Sequence, residues 1–166
     1  MEKVISAGII IFRRTPAGPK FLLLYRGRGT WDYPRGRMEG EERSWQTALR
    51  EVREETGLRA GDLKWQSNFK VYEKFPYTKK GTGEKVFKII IFYLAETEKP
   101  KIVISWEHEG YGWFSFNEAQ KLLSKFKNRV EILKKVRERI GELSRTGITG
   151  GAADTGRSNP DLPAGG

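Results

Sequence analysis

The sequence predicts a single α/β domain, and three observations carry that expectation. Apolar runs of strand length stand at Val4–Phe12 and Val86–Leu94, and a helix near residues 45–56 is bracketed by its own start and stop residues. The chain has 166 residues, 37% of them hydrophobic, with five Trp, six Tyr and nine Phe, which suits one core.

Taken in order, Val4–Phe12 reads as a buried strand, and the turn Thr15–Gly18 leads into a second strand, Lys20–Arg26. Residues 26–36 form a basic loop in which Arg26 and Arg28 flank Gly27 and Gly29, a composition suited to wrapping phosphates or to an ordinary solvated turn. Ser44 as N-cap and Gly57 as C-terminal stop predict a helix from Trp45 to Thr56. Its apolar positions Trp45, Ala48, Leu49 and Val52 share one face, which should lie on a sheet. Leu63–Tyr77 reads as one irregular strand or two. The stretch Thr78–Glu84 is a glycine-containing charged turn, and Val86–Leu94 has the near-continuous apolar character of a central strand.

Lys88 interrupts that strand, and a charge there must reach the rim or meet an anion. A short strand is expected at Ile102–Ile104 and another at Tyr111–Phe114, separated by the acidic loop that holds Glu107, His108 and Glu109. Ser115 and Glu118 have capping-box spacing and open a helix through about Lys125. A last helix over Arg129–Leu143 aligns Val130, Leu133, Val136 and Ile140. Beyond it, residues 144–166 lack aromatic side chains and are rich in glycine, so a disordered tail is expected after a domain spanning 1–143.

Chemistry concentrates at residues 36–58. Glu51, Glu54 and Glu55 lie at i, i+3 and i+4, and like charges at such spacings cost a helix about 0.2–0.5 kcal/mol per pair. A cation is therefore expected beside them: Arg50 and Arg53 as surface partners, or a bound metal. The chain has no Cys and one His, so carboxylates are the available ligands, and oxygen ligands favour Mg²⁺ or Mn²⁺. A formal charge of +10 suits nucleotides, polyphosphates or RNA as partners. The longest early apolar run, Ala7–Phe12, is too short to span a membrane and ends at Arg13 and Arg14, so a cytoplasmic location is expected.

The stretch can be written Gly36-x5-Glu42-x7-Arg50-Glu51-Val52-x-Glu54-Glu55-x-Gly57-Leu58. In this form it resembles the Nudix box at every fixed position. Further segments are similar to the asymmetrical diadenosine tetraphosphate hydrolases of that family: Ala7–Arg14, Phe21–Arg26, Trp31–Gly36, Phe92–Glu96 and Ser105–Trp113. The resemblance implies a Nudix-type α/β/α sandwich with a mixed central sheet, and metal-dependent hydrolysis of a dinucleoside polyphosphate to a nucleoside triphosphate and a monophosphate.

It also implies Glu51, Glu54 and Glu55 as metal ligands, with the backbone carbonyl of Arg35 and, from the loop, Glu107. Glu42 would support Arg50 or a metal-bound water. Glu107 or a box glutamate would serve as general base, and the resemblance does not choose between them. Arg26, Arg28, Arg35 and Lys88 would meet the phosphates, and Tyr77 would stack on a base. Two rival readings also fit the residues: removal of pyrophosphate from an RNA 5′ end, and a nucleotide-binding module without catalysis. The chain departs from the family pattern at Glu39-Gly40-Glu41-Glu42, where the glycine is displaced by one position, and at Arg37.

Overall fold

A computed structural model describes residues 1–146. Its strands are β1 (Glu2–Thr15), β2 (Gly18–Tyr25), β3 (Trp31–Asp32), β4 (Arg35–Arg37), β5 (Lys64–Trp65), β6 (Val71–Thr78), β7 (Lys85–Glu96) and β8 (Gly110–Phe114). Its helices are α1 (Ser44–Thr56), α2 (Phe116–Leu122) and α3 (Lys127–Thr146).

β1 is the axis. Side chains alternate across a strand, so Ala7, Ile9 and Ile11 enter one core while Ile10 and Phe12 enter the other. The first core lies under α1 and takes in Trp45, Ala48 and Val52. The second is closed by Ala119 and Leu123 near α2 and by Leu133, Val136 and Ile140 of α3. Covered on both faces, β1 and β7 pair in parallel from Glu2 opposite Val86 to Phe12 opposite Glu96. The other pairings are antiparallel: β2 and β4 to β1, β5 and β6 to β7, and β3 and β8 to β2. The result is the expected α/β/α sandwich with a mixed sheet.

The sheet divides along β1 in a way that creates the site. Phe12–Thr15 pairs with β2, whereas Ser6–Gly8 pairs with β4. The chain leaves β1's side between these two partners and returns carrying the residues that face α1.

Several expectations need correcting. Ile102–Ile104 is irregular backbone rather than a strand: the Val103 amide donates to the Thr56 carbonyl at 2.9 Å, so the segment seals the end of α1. The N-cap is Arg43, not Ser44. Its amide donates to Gln46 Oε1 at 2.8 Å, and the Ser44 hydroxyl instead meets the Tyr93 hydroxyl at 2.6 Å. β3 and β4 occupy what reads in sequence as loop. α2 stops at Leu122, short of Lys125, while α3 runs on to Thr146. The rest of the 144–166 stretch lies outside the described residues. Among the described residues, no helix is long and apolar enough to cross a membrane.

Candidate active site

α1 is held in place by its apolar face, and this fixes where its acids stand. Gly57 ends the helix with φ 77°, its amide donating to the Arg53 carbonyl at 2.9 Å. Glu55, buried at 3% exposure, accepts a hydrogen bond on Oε2 from the Arg35 amide of β4 at 3.1 Å. Glu51 lies against the next residue of the same strand. A Cβ on Gly36 would fall 2.0 Å from the Glu51 carboxyl carbon, so only glycine leaves room for that carboxylate.

Arg50 gathers the remaining acids. Its Nε donates to Glu42 at 2.8 Å and its Nη1 to Glu51 at 2.9 Å, with Glu54 at 3.3 Å. Its Nη2 donates to the Arg37 carbonyl at 2.9 Å, tying the end of β4 to the helix. The Arg50 hydrogen bond holds the Glu42 carboxyl down at about 2. Burial acts the other way on the inner acids: it raises Glu51, and with repulsion from Glu51 it pushes Glu55 up to about 8.

Among the described residues, no three Asp, Glu or His side chains form a ready-made cage for an ion. Glu54 is exposed and turned to Arg50. The chemistry of the donors still suits a hard divalent cation. Two carboxylates crowd one strand in a partly dry setting that disfavours their charge, and a cation would relieve both.

The expected phosphate-binding residues divide into two groups. Arg26 and Arg35 converge on Asp32, at 3.9 and 2.8 Å, and Asp32 is 1% exposed. Lys88 is half-buried, and burial with repulsion from Arg35, Arg26 and Arg37 lowers it to about 8. Its charge is therefore felt by the same arginines. Arg28 is exposed on the turn with φ 54°. Tyr77 is half-buried on β6; its neighbour on that face, Phe75, stands opposite Lys88 in the register.

Three residues of this region escape the sequence reading: Asp32, Glu73 and Arg129. Arg129 enters from α3 with Nη2 3.3 Å from Asp32 and Nε 3.9 Å from Glu73. Two patterns held the signal. Glu73 shares its strand parity with Val71, Phe75 and Tyr77, and Arg129 lies on the same helical stripe as Leu133, Val136 and Ile140.

The acidic loop docks beside Arg26: the Glu109 amide donates to the Tyr25 carbonyl at 2.8 Å. His108 is buried, 3.3 Å from the Ser105 hydroxyl, and burial followed by Arg26 lowers its basicity. It serves as the anchor of the loop. Glu107 and Trp106 are exposed at its tip, and the Glu107 charge is felt by Glu51.

A mixed sheet split beside an acid-bearing helix, with glycine making room for one of its carboxylates, defines a pyrophosphohydrolase of the Nudix fold. The family model of the Nudix domain matches residues 2–136, and the chain belongs to that family. It is 35% identical over 138 residues to the bis(5′-nucleosyl)-tetraphosphatase [asymmetrical] of Sus scrofa, covering 77% of this chain and 89% of that one. With the Rattus norvegicus enzyme of the same name the identity is 36% over 128 residues, 70% and 82% of the two chains. The solved structure of a C. elegans Ap4A hydrolase binary complex superposes with TM-score 0.72 at 26% identity, covering 84% of this chain and 98% of the other.

Proposed function

We propose that this chain hydrolyses dinucleoside polyphosphates, with diadenosine tetraphosphate as the reference substrate, to a nucleoside triphosphate and a nucleoside monophosphate. The observation that carries the reading is the meeting of opposite charges at β4. Glu55 and Glu51 lie against its backbone, while Arg35 extends its side chain toward Asp32, beside Arg26 and within the field of Lys88. The relatives named above supply the substrate class.

Glu51, Glu54 and Glu55, with the Arg35 carbonyl and Glu107, would hold Mg²⁺ or Mn²⁺. Bound there, the cation supplies charge neutralisation at the phosphate oxygens and acidifies water. The chain's own groups do the rest. Arg26, Arg35 and Lys88 bind the phosphate chain and stabilise charge on the departing phosphate, with Arg28 at the loop's outer edge. Arg50 positions Glu51 by holding one of its oxygens. Glu107 takes the proton as water attacks phosphorus and the bond to the bridging oxygen breaks, and Tyr77 offers a ring to a base. Glu107→Gln is expected to lower kcat by about 10²-fold or more with little change in KM. An unchanged kcat would return the base to α1.

The basic surface also favours a second class, RNA with a 5′-triphosphate or cap. Parallel assays of diadenosine tetraphosphate and 5′-triphosphorylated RNA with Mg²⁺ separate the two. Faster cleavage of the dinucleotide supports the proposal, and exclusive cleavage of the RNA overturns it.

A further inference from the structure

We propose that the open sheet face carried by residues 3–5 of β1, 72–76 of β6 and 85–89 of β7 binds single-stranded nucleic acid. It lies on the opposite side of the sheet from Lys88 and Phe75 and is separate from the site at α1. The register sets its residues side by side. Ile5 stands opposite Ile89, and Lys3 opposite Phe87; across β7, Tyr72, Lys74 and Pro76 stand opposite Ile91, Ile89 and Phe87. These positions share the strand parity of Ala7, Ile9 and Tyr93, which belong to the core under α1. Ile5, Tyr72, Phe87 and Ile89 nevertheless join neither core, and Ile5 and Tyr72 are 37% and 49% exposed. Neighbouring apolar side chains left open to solvent on a folded domain mark a place where something binds.

Charge selects the occupant. Lys3, Lys74 and Lys85 are exposed on this face, and Lys70, also exposed, lies over the Tyr93 ring at 5.5 Å. At this parity the three strands carry no Asp or Glu. In the loop that follows Met38 beside Ile5, Glu39 and Glu42 are drawn to Arg50. A second copy of the chain is disfavoured, because a twofold contact would bring these lysines against the same lysines. Pro76 also blunts β6, which pairs with β7 alone among the described strands, against addition of another strand. An anion with flat apolar parts fits instead. Lysine alternates with ring on this surface: Lys74 Nζ lies 5.3 Å from the Tyr72 ring centre. Phe87 stands opposite Pro76, four residues along β6 from Tyr72, which sets the two rings roughly 13 Å apart. That is too far for one base and suits two bases of one strand. Unpaired bases stack on sheet aromatics while lysines meet the phosphates between them.

The test is fluorescence anisotropy of the full chain with short labelled single strands, RNA and DNA of one sequence, each ending in a 5′ hydroxyl, in EDTA. Such strands offer no phosphoric anhydride to the site at α1, so the outcome is independent of the function proposed above. We expect the parent chain to bind at least one of them. Tyr72→Ala should raise Kd by about tenfold, whereas Tyr72→Phe, which keeps the ring, should bind like the parent. Lys74→Ala should weaken binding and make the slope of log Kd against log salt shallower by about 0.7. Absence of binding by the parent overturns the proposal. So does parent-like binding in both Tyr72→Ala and Lys74→Ala, which would mean that the overall positive charge suffices. If Tyr72→Ala fails to fold, judged by its circular-dichroism melt, Lys3→Ala takes its place beside Lys74→Ala, and parent-like binding in both overturns the assignment. Binding to phosphatidylserine vesicles with no binding to either strand would assign the face to a membrane and overturn it as well.

Discussion

Lys88 shows what burial does to a single charge. Half-covered on β7 and repelled by three arginines, it is lowered to about 8, so it carries its proton below that pH and loses it above. A phosphate chain is attracted only by the protonated form. We therefore expect substrate affinity to weaken as pH rises through about 8, read as a rising KM. Lys88→Arg should flatten that rise, because guanidinium stays charged. An equally steep rise in Lys88→Arg would mean that another group titrates. The lysine's place in an apolar strand was legible in the sequence. Glu73 was missed because a lone acid in an alternating strand gives no sign of its partner, which arrives from α3.

At the scale of the element, α1 and its preceding loop behave as one unit because Arg50 links them. Glu42 comes from the loop, the Arg37 carbonyl from the end of β4, and Glu51 and Glu54 from the helix. Arg50→Leu removes these charge-assisted bonds and leaves Glu42 and Glu51 facing each other. Its side chain is 23% exposed, and the expected loss is about 1.5–3 kcal/mol, read by urea denaturation. The ends of α1 were nearly right from sequence, since Gly57 has the positive φ that stops a helix. β4 was not legible, because Arg-Gly-Arg has no strand propensity and becomes a strand only by pairing with Ser6–Gly8 of β1. Ile102–Ile104 erred in the other direction: its residues favour a strand, but its backbone is spent on the end of α1.

Across the whole molecule, Asp32 joins parts of the chain that are distant in sequence. It draws Arg26 from the end of β2, Arg35 from β4 and Arg129 from α3, and its Oδ1 accepts the Tyr33 amide at 2.7 Å. Asp32→Asn leaves three guanidinium groups without their counter-charge. It should destabilise the protein by about 3–5 kcal/mol in denaturant unfolding. No local pattern announces such a hub, whereas the sandwich itself was legible because its apolar periodicities are local. The central claim is that the inner acids of α1 serve a divalent cation at a phosphate chain. Its most direct test is diadenosine tetraphosphate cleavage against Mg²⁺ concentration for the parent chain and Glu55→Gln. The account predicts equal yields of ATP and AMP that saturate with Mg²⁺ and vanish in EDTA, with kcat about 10²–10³-fold lower in a folded Glu55→Gln. Parent-like turnover in that variant, or cleavage that persists in EDTA, would contradict it.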